Sequence, residues 1–221
     1  MRWERAVHHV ESLARTCADM ATRPGAIYTL PVTQMWAVGD ILEAPRALEH
    51  VTVALCVDLP AEDVAWWSEP PGTQHWAHAT RLIKNPIVAW WRSAHAPVWN
   101  HRIVRPALVW DATTGVAEDT IVALRDGLGD TVRSAAPPAD EYDTRMSDEL
   151  RISLRALRAR TKAYDKQRWR PGKLEPVADA LWLASDGYLD VVEAVSATSP
   201  AVTKSPGFGD VEGDRAAPTQ T

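Results

Sequence analysis

The chain has 221 residues, 46% of them hydrophobic, with a formal charge of −5 and a pI near 5.8. That is enough apolar material for a substantial core, as one domain or as one domain with a helical appendage. The acidic balance excludes a protein globally adapted to coat nucleic acid or an anionic membrane. No stretch approaches the roughly 18 uninterrupted apolar residues of a membrane span. The opening MRWERAVHHVESLARTC carries charge throughout, unlike a signal peptide, so a soluble cytoplasmic protein is expected. Its two cysteines, Cys17 and Cys56, fall in apolar-patterned segments and predict buried free thiols, with no disulfide framework.

Val7, Val10, Leu13, Ala14, Cys17 and Met20 recur at three- and four-residue spacing and predict an amphipathic helix to about Met20. Pro24 and Gly25 end it. A strand follows over 32–38 and stops at Gly39-Asp40. Residues 41–48 predict a short helix limited by Pro45. VTVALCV, residues 51–57, is a nearly all-apolar strand, expected to be covered on both faces. From Pro60 to Pro106 come Trp66, Trp67, Trp76, Trp90, Trp91 and Trp99, with Trp110 just beyond on the next strand. Short helices around AEDVAWW and HWAHATRLIK, joined by Pro-rich turns, are expected here. The rings are read as filling a region without regular strands, in preference to an aromatic ligand pocket. RPALVWDATTG predicts a strand and an Asp-initiated turn reversing at Gly115. VAEDTIVALRDGL predicts a short helix ending at Gly127 or Gly129.

SAAPPAD, residues 134–140, marks a hinge before two helices. The first spans about 140–169, with Met146, Leu150, Leu154 and Leu157 on one side; the second spans about 174–196 and is broadly apolar. From Ala197 the Ser-, Thr-, Pro- and Gly-rich composition predicts a disordered tail. The expected organisation is an α+β unit over 1–133 carrying a Trp-rich insertion at 60–106, a helical region over 139–196 and a tail over 197–221.

Helix, strand, glycine turn, short helix and buried strand, centred on MWAVGDILEAPRALEHVTVALCVDLP, resemble the core of the polymerase-β-like nucleotidyltransferases. The resemblance covers at most residues 5–130 and implies a mixed sheet with flanking helices. The closing ADALWLASDGYLDVVEAV resembles the helical appendage that often follows such a core. PVWNHRIVRP resembles a family of uncharacterised actinobacterial proteins. In the nucleotidyltransferases a Gly-Ser turn and two strand carboxylates hold divalent metals against a triphosphate, because hard cations need clustered oxygen ligands. Here Gly39-Asp40 replaces Gly-Ser, and His50 and Thr52 fall at the carboxylate positions; a one-residue shift gives Glu49 and Val51.

Three readings follow. The first is an inactive relative that binds a phosphate-bearing ligand or a protein partner, with no metal, through Gly39, Asp40, His50 and Thr52. The second is a magnesium-dependent nucleotidyltransferase using a rearranged set of Asp40, Glu49, Asp58 and Asp111. Asp58 lies about 20 Å along an extended chain from the expected carboxylate position. The third is an unrelated α+β interaction or scaffold protein.

A local charge reversal bears on the first reading. Residues 151–173 hold nine basic side chains against one acid, Asp165. Arg151, Arg155, Arg158 and Lys162 fall within about 60° on one helical face. They predict either a solvated face or a contact with nucleotide phosphate, RNA or an acidic partner, and the inactive-relative reading turns them toward the old cleft. His75, His78, His95 and His101 form a further candidate metal set, weak because no cysteine or carboxylate sits at ligand spacing. No Gly-x-Ser-x-Gly, Walker loop or strand-associated Gly-x-Gly-x-x-Gly occurs.

Overall fold

A computed structural model of the protein describes residues 1–22 and 30–198. The Pro24-Gly25 break and the tail from residue 199 lie outside the described residues. Helix α1 runs from Trp3 to Thr22, followed by strands β1 (Val32–Val38) and β2 (Val51–Val57). Helix α2 (Thr73–Ala79) precedes β3 (Ile87–Ser93), and then come β4 (Ala107–Asp111) and β5 (Gly115–Val116). Helices α3 (Glu118–Arg125), α4 (Ala139–Gln167) and α5 (Glu175–Thr198) complete the fold. The architecture is α+β, a five-stranded mixed sheet with a C-terminal helical pair.

The sheet order is β3-β2-β1-β4-β5, with β2 and β3 parallel and every other pair antiparallel. β1 and β2 have the bounds their β-branched runs predict. β3 overturns the expectation that the Trp-rich segment lacks regular strands. Its sequence, IVAWWRS, is itself β-branched and aromatic. Its parallel register, Val51 opposite Ile87 through Val57 opposite Ser93, places it beside β2 as an integral sheet strand. The predicted helix over 41–48 is replaced by a 3-10 turn, Gly39–Leu42, whose Ile41 and Leu42 are buried. Pro45 lacks the N–H a longer helix would need, and the chain runs irregularly to His50.

Strand alternation sends two sets of side chains to opposite faces, and each face has its own core. On one, Met35, Ala37, Val53 and Leu55 meet the buried stripe of α1 and Ile121 and Leu124 of α3. Met35 opposes Trp110 while Trp36 opposes Leu108, so Val109 is the extra residue of a β-bulge. Both Val109 and Trp110 thereby reach this first core. On the other face Val38, Ala54, Cys56 and Trp66 meet Met146 of α4 and Val191 of α5. The helical pair thus closes the sheet's second face. Gly187 lets α5 approach: a Cβ there would collide with the Trp66 carbonyl. Both cysteines are free and buried as predicted, and burial pushes each thiol up to about 12.

Candidate functional site

The glycine turn opens onto a depression of about 300 Å³ lined by Gly39, Glu43, Arg102, Val104, Arg105, Asp130 and Arg133. Gly39 has φ +68°, the left-handed region, and no atom lies within 4 Å of where its Cβ would be, so the main chain faces open space. Three arginines converge from the loop after β3 and the segment after α3. Arg133 Nε meets Asp130 at 2.9 Å, and the same guanidinium pairs with Glu43. Arg102 pairs with Asp190. Arg105 donates from Nε to the Ser134 carbonyl at 3.2 Å and has no salt bridge among the described residues. Arg105 also has φ +44°, a strained conformation for a non-glycine residue. Arg133 Nη1 donates at 3.4 Å to the carbonyls of Val104 and Arg105. The five charged side chains that line the depression carry one net positive charge.

The rearranged acidic set does not converge. Asp40 is exposed and pairs with Arg46 at 2.7 Å. Glu49 is exposed beside His50, next to the end of the sheet where Val38 opposes Thr52. Asp58 and Asp111 belong to the other end, where Val32 opposes Val57 and Gln34 opposes Asp111. From Gln34 to Gly39 the strand covers about 16 Å. Asp111 is also committed to the β4–β5 turn. Its Oδ1 accepts from Thr113 N at 2.8 Å, and its Oδ2 accepts from Gln34 Nε2 at 2.8 Å. Hydrogen bonds from Thr113 and Gln34 hold its pKa below the ordinary value, against a smaller opposing effect of burial. Thr52 sits on β2 and His50 just before it, at the Gly39 end.

The histidine set is dispersed as well. His95 pairs with Asp58 at 2.7 Å and His101 with Asp190 at 2.8 Å. Among the described residues no group of three His, Cys, Asp or Glu side chains is placed to hold a metal ion. The basic row does not turn toward the old cleft, where the inactive-relative reading places it. Arg145, Met146, Glu149, Ile152 and Ser153 are the buried residues of α4, so Arg151, Arg155, Arg158 and Lys162 lie on the opposite arc. All four side chains are exposed and none reaches the glycine turn, although Arg155 also borders the cleft between the helical pair and residues 62–74.

The most developed polar assembly in the second core involves residues that sequence reasoning passed over. Glu149 of α4, 1% exposed, pairs with Arg92 of β3, also 1% exposed, and with Arg145 at 2.6 Å. Arg92 also donates from Nε to the Val98 carbonyl at 3.0 Å and lies 5.6 Å from the Trp66 ring centroid. Burial would raise the Glu149 pKa, but the two guanidiniums overcome it and hold the carboxyl below its ordinary value. A second carboxylate, Asp190 of α5, accepts from Trp66 Nε1 and from His101 Nε2, each at 2.8 Å, and pairs with Arg102. Burial opposes its ionisation, yet these donors depress its pKa strongly. One legible signal existed. Glu149 falls in phase with the buried residues of α4, and a carboxylate in such a stripe demands a buried cation.

These features define a mixed-sheet α+β protein whose second face is closed by a helical hairpin held through buried ion pairs, with an arginine-lined depression at a glycine turn. Residues 1–197 match the family described as Domain of unknown function (DUF7711), and the chain belongs to that family. No curated protein and no solved structure matches it. The match agrees with the uncharacterised relatives implied by PVWNHRIVRP; it adds nothing to the nucleotidyltransferase resemblance or to an actinobacterial origin. No helix among the described residues is long and apolar enough to cross a membrane.

Proposed function

We propose that the protein binds a phosphate-bearing ligand at the Gly39 turn and does not transform it, acting as a non-catalytic relative of nucleotidyltransferases. The observation that carries this reading is Arg105. Its guanidinium lines the depression without a carboxylate partner among the described residues, and its left-handed backbone is braced by Arg133. Guanidinium forks suit phosphate oxygens in charge and geometry. The one guanidinium without a carboxylate partner among the described residues, with an open glycine main chain beside it, suits a single phosphate group. Metal-assisted nucleotidyl transfer finds less support, because Asp40 and Glu49 lie at one end of the sheet and Asp58 and Asp111 at the other. A reducing, cytoplasmic setting belongs to this reading and is supported by the two buried free thiols.

Thermal unfolding tests it, with inorganic phosphate and each nucleoside triphosphate, with and without magnesium or manganese. The expected result is a metal-independent rise in Tm that disappears in Arg105→Ser. A metal-dependent rise lost in Glu49→Ala or Asp111→Ala would favour the transferase reading, with magnesium as cofactor. No shift with any anion would overturn binding at the Gly39 turn. A second reading, recognition of a protein partner, draws on the exposed outer face of the helical pair.

A further inference from the structure

We propose that the outer face of α4 and α5 is a homodimer interface, in which the α5 ridge of one copy seats in the α4 groove of the other. This inference is independent of the ligand proposed at Gly39.

The groove is a depression of about 490 Å³ on α4, with Leu154 and Ala159 between the basic side chains Arg151, Arg155, Arg158 and Lys162. Arg151 has a local partner in Asp148 at 3.2 Å, but Arg155, Arg158 and Lys162 form no salt bridge among the described residues. An unneutralised cationic row repels itself, so it gains from an anionic neighbour.

The ridge lies on α5. Trp182 is 63% exposed and Leu189 is 56% exposed. They are seven residues apart and therefore within about 20° of one line along the helix. Asp186 and Glu193 repeat at the same seven-residue spacing, about 40° around from Trp182 and Leu189. Neither acid forms a salt bridge among the described residues. The ridge thus has an apolar crest and an acidic flank, the complement of an apolar floor with a cationic rim. The row from Arg151 to Lys162 extends about 17 Å and the ridge from Trp182 to Glu193 about 17 Å, so their lengths match.

Both rows point away from the sheet: Glu149 and Ile152 hold α4 by the opposite arc, and Gly187 and Val191 do so for α5. Within one chain Asp179 and Arg155 line the same cleft, whereas the surfaces around Asp186 and Glu193 and around the basic row form no salt bridge with each other among the described residues. A two-fold axis brings them together twice, α4 of each copy on α5 of the other, which is the self-complementarity a symmetric dimer requires. Two adjacent helices offer a face about 20 Å wide and 30 Å long, roughly 600 Å² per copy. That is close to the roughly 800 Å² per partner of a standard interface.

Sedimentation equilibrium of the full chain over micromolar concentrations tests the proposal. The wild type is expected to be dimeric. Arg155→Glu/Arg158→Glu puts acids against acids, and Asp186→Arg/Glu193→Arg puts cations against cations. Each double variant should weaken self-association about a hundredfold or more while keeping the wild-type circular dichroism spectrum. Mixing the two folded variants in equal amounts makes both contacts complementary again, and a heterodimer should form. A monomeric wild type would overturn the proposal, including one whose basic row instead binds single-stranded RNA. So would double variants that stay dimeric, or folded variants that fail to pair when mixed.

Discussion

Replacing Glu149 by alanine should destabilise the protein by about 3–5 kcal/mol, the cost of breaking a buried ion pair from one side. Glu149 pairs with two guanidiniums, Arg92 and Arg145, which are 1% and 9% exposed. Removing the carboxylate leaves Arg92 with one carbonyl and the Trp66 face, and Arg145 with the Pro97 carbonyl at 3.2 Å. Charge-assisted hydrogen bonds contribute about 1.5–3 kcal/mol each, so losing two accounts for a figure of this size. Such a loss is a large share of the roughly 5–15 kcal/mol that stabilises an ordinary domain. Urea unfolding followed by tryptophan fluorescence measures it. The apolar triple variant Arg92→Met/Arg145→Met/Glu149→Leu is the decisive companion. If desolvation offsets attraction in the intact triad, this variant should lie within about 1 kcal/mol of the wild type or exceed it. A Glu149→Ala loss below 1 kcal/mol would refute the reasoning, as would a triple variant no more stable than the single one.

Acid should act through the same carboxylates. Glu149 and Asp190 both titrate below their ordinary values of 4.5 and 3.8, so their contribution is complete above those values and is lost as pH falls through the folded-state pKa. Tm should be level near neutrality and fall progressively below about pH 4.5, with a shallower fall in Asp190→Asn. Gly187→Ala should cost about 1–3 kcal/mol by forcing α5 away from the Trp66 carbonyl, measurable as a lower urea midpoint at unchanged slope. Asp111→Ala should cost about 1 kcal/mol through the lost turn hydrogen bonds and leave anion binding at Gly39 unchanged in calorimetry. Cys17 and Cys56 should resist alkylation at pH 8 in the folded protein and react fully in urea, because their thiols are raised to about 12.

The elements that local chemistry dictates were legible in the residues. β1 and β2 follow β-branched runs, and α1 follows an unbroken three-four stripe whose buried members are those the spacing selects. β3 was hidden by its neighbours: proline-rich turns on both sides drew attention to the tryptophans and away from a regular alternating strand. The basic row was legible as a row, but not its direction. Which arc of α4 faces the sheet is decided by Glu149 finding Arg92, 57 residues away in sequence. The depression at Gly39 was half legible. The turn announced itself through Gly39, whereas Arg102, Arg105 and Arg133 arrive from distant loops and share no periodicity with it.

The division between the two cores has a consequence for biosynthesis. Every side chain of the first core lies at or before residue 132, so that half of the protein can consolidate while the rest is still being translated. The second cannot. Trp66, His101 and Arg102 depend on Asp190, and Arg92 depends on Glu149, so two arginines and several aromatic rings lack their partners until almost the whole described chain has emerged. The nascent protein therefore passes through an interval with a finished sheet and one sticky, cationic face, the period in which a chaperone would meet it.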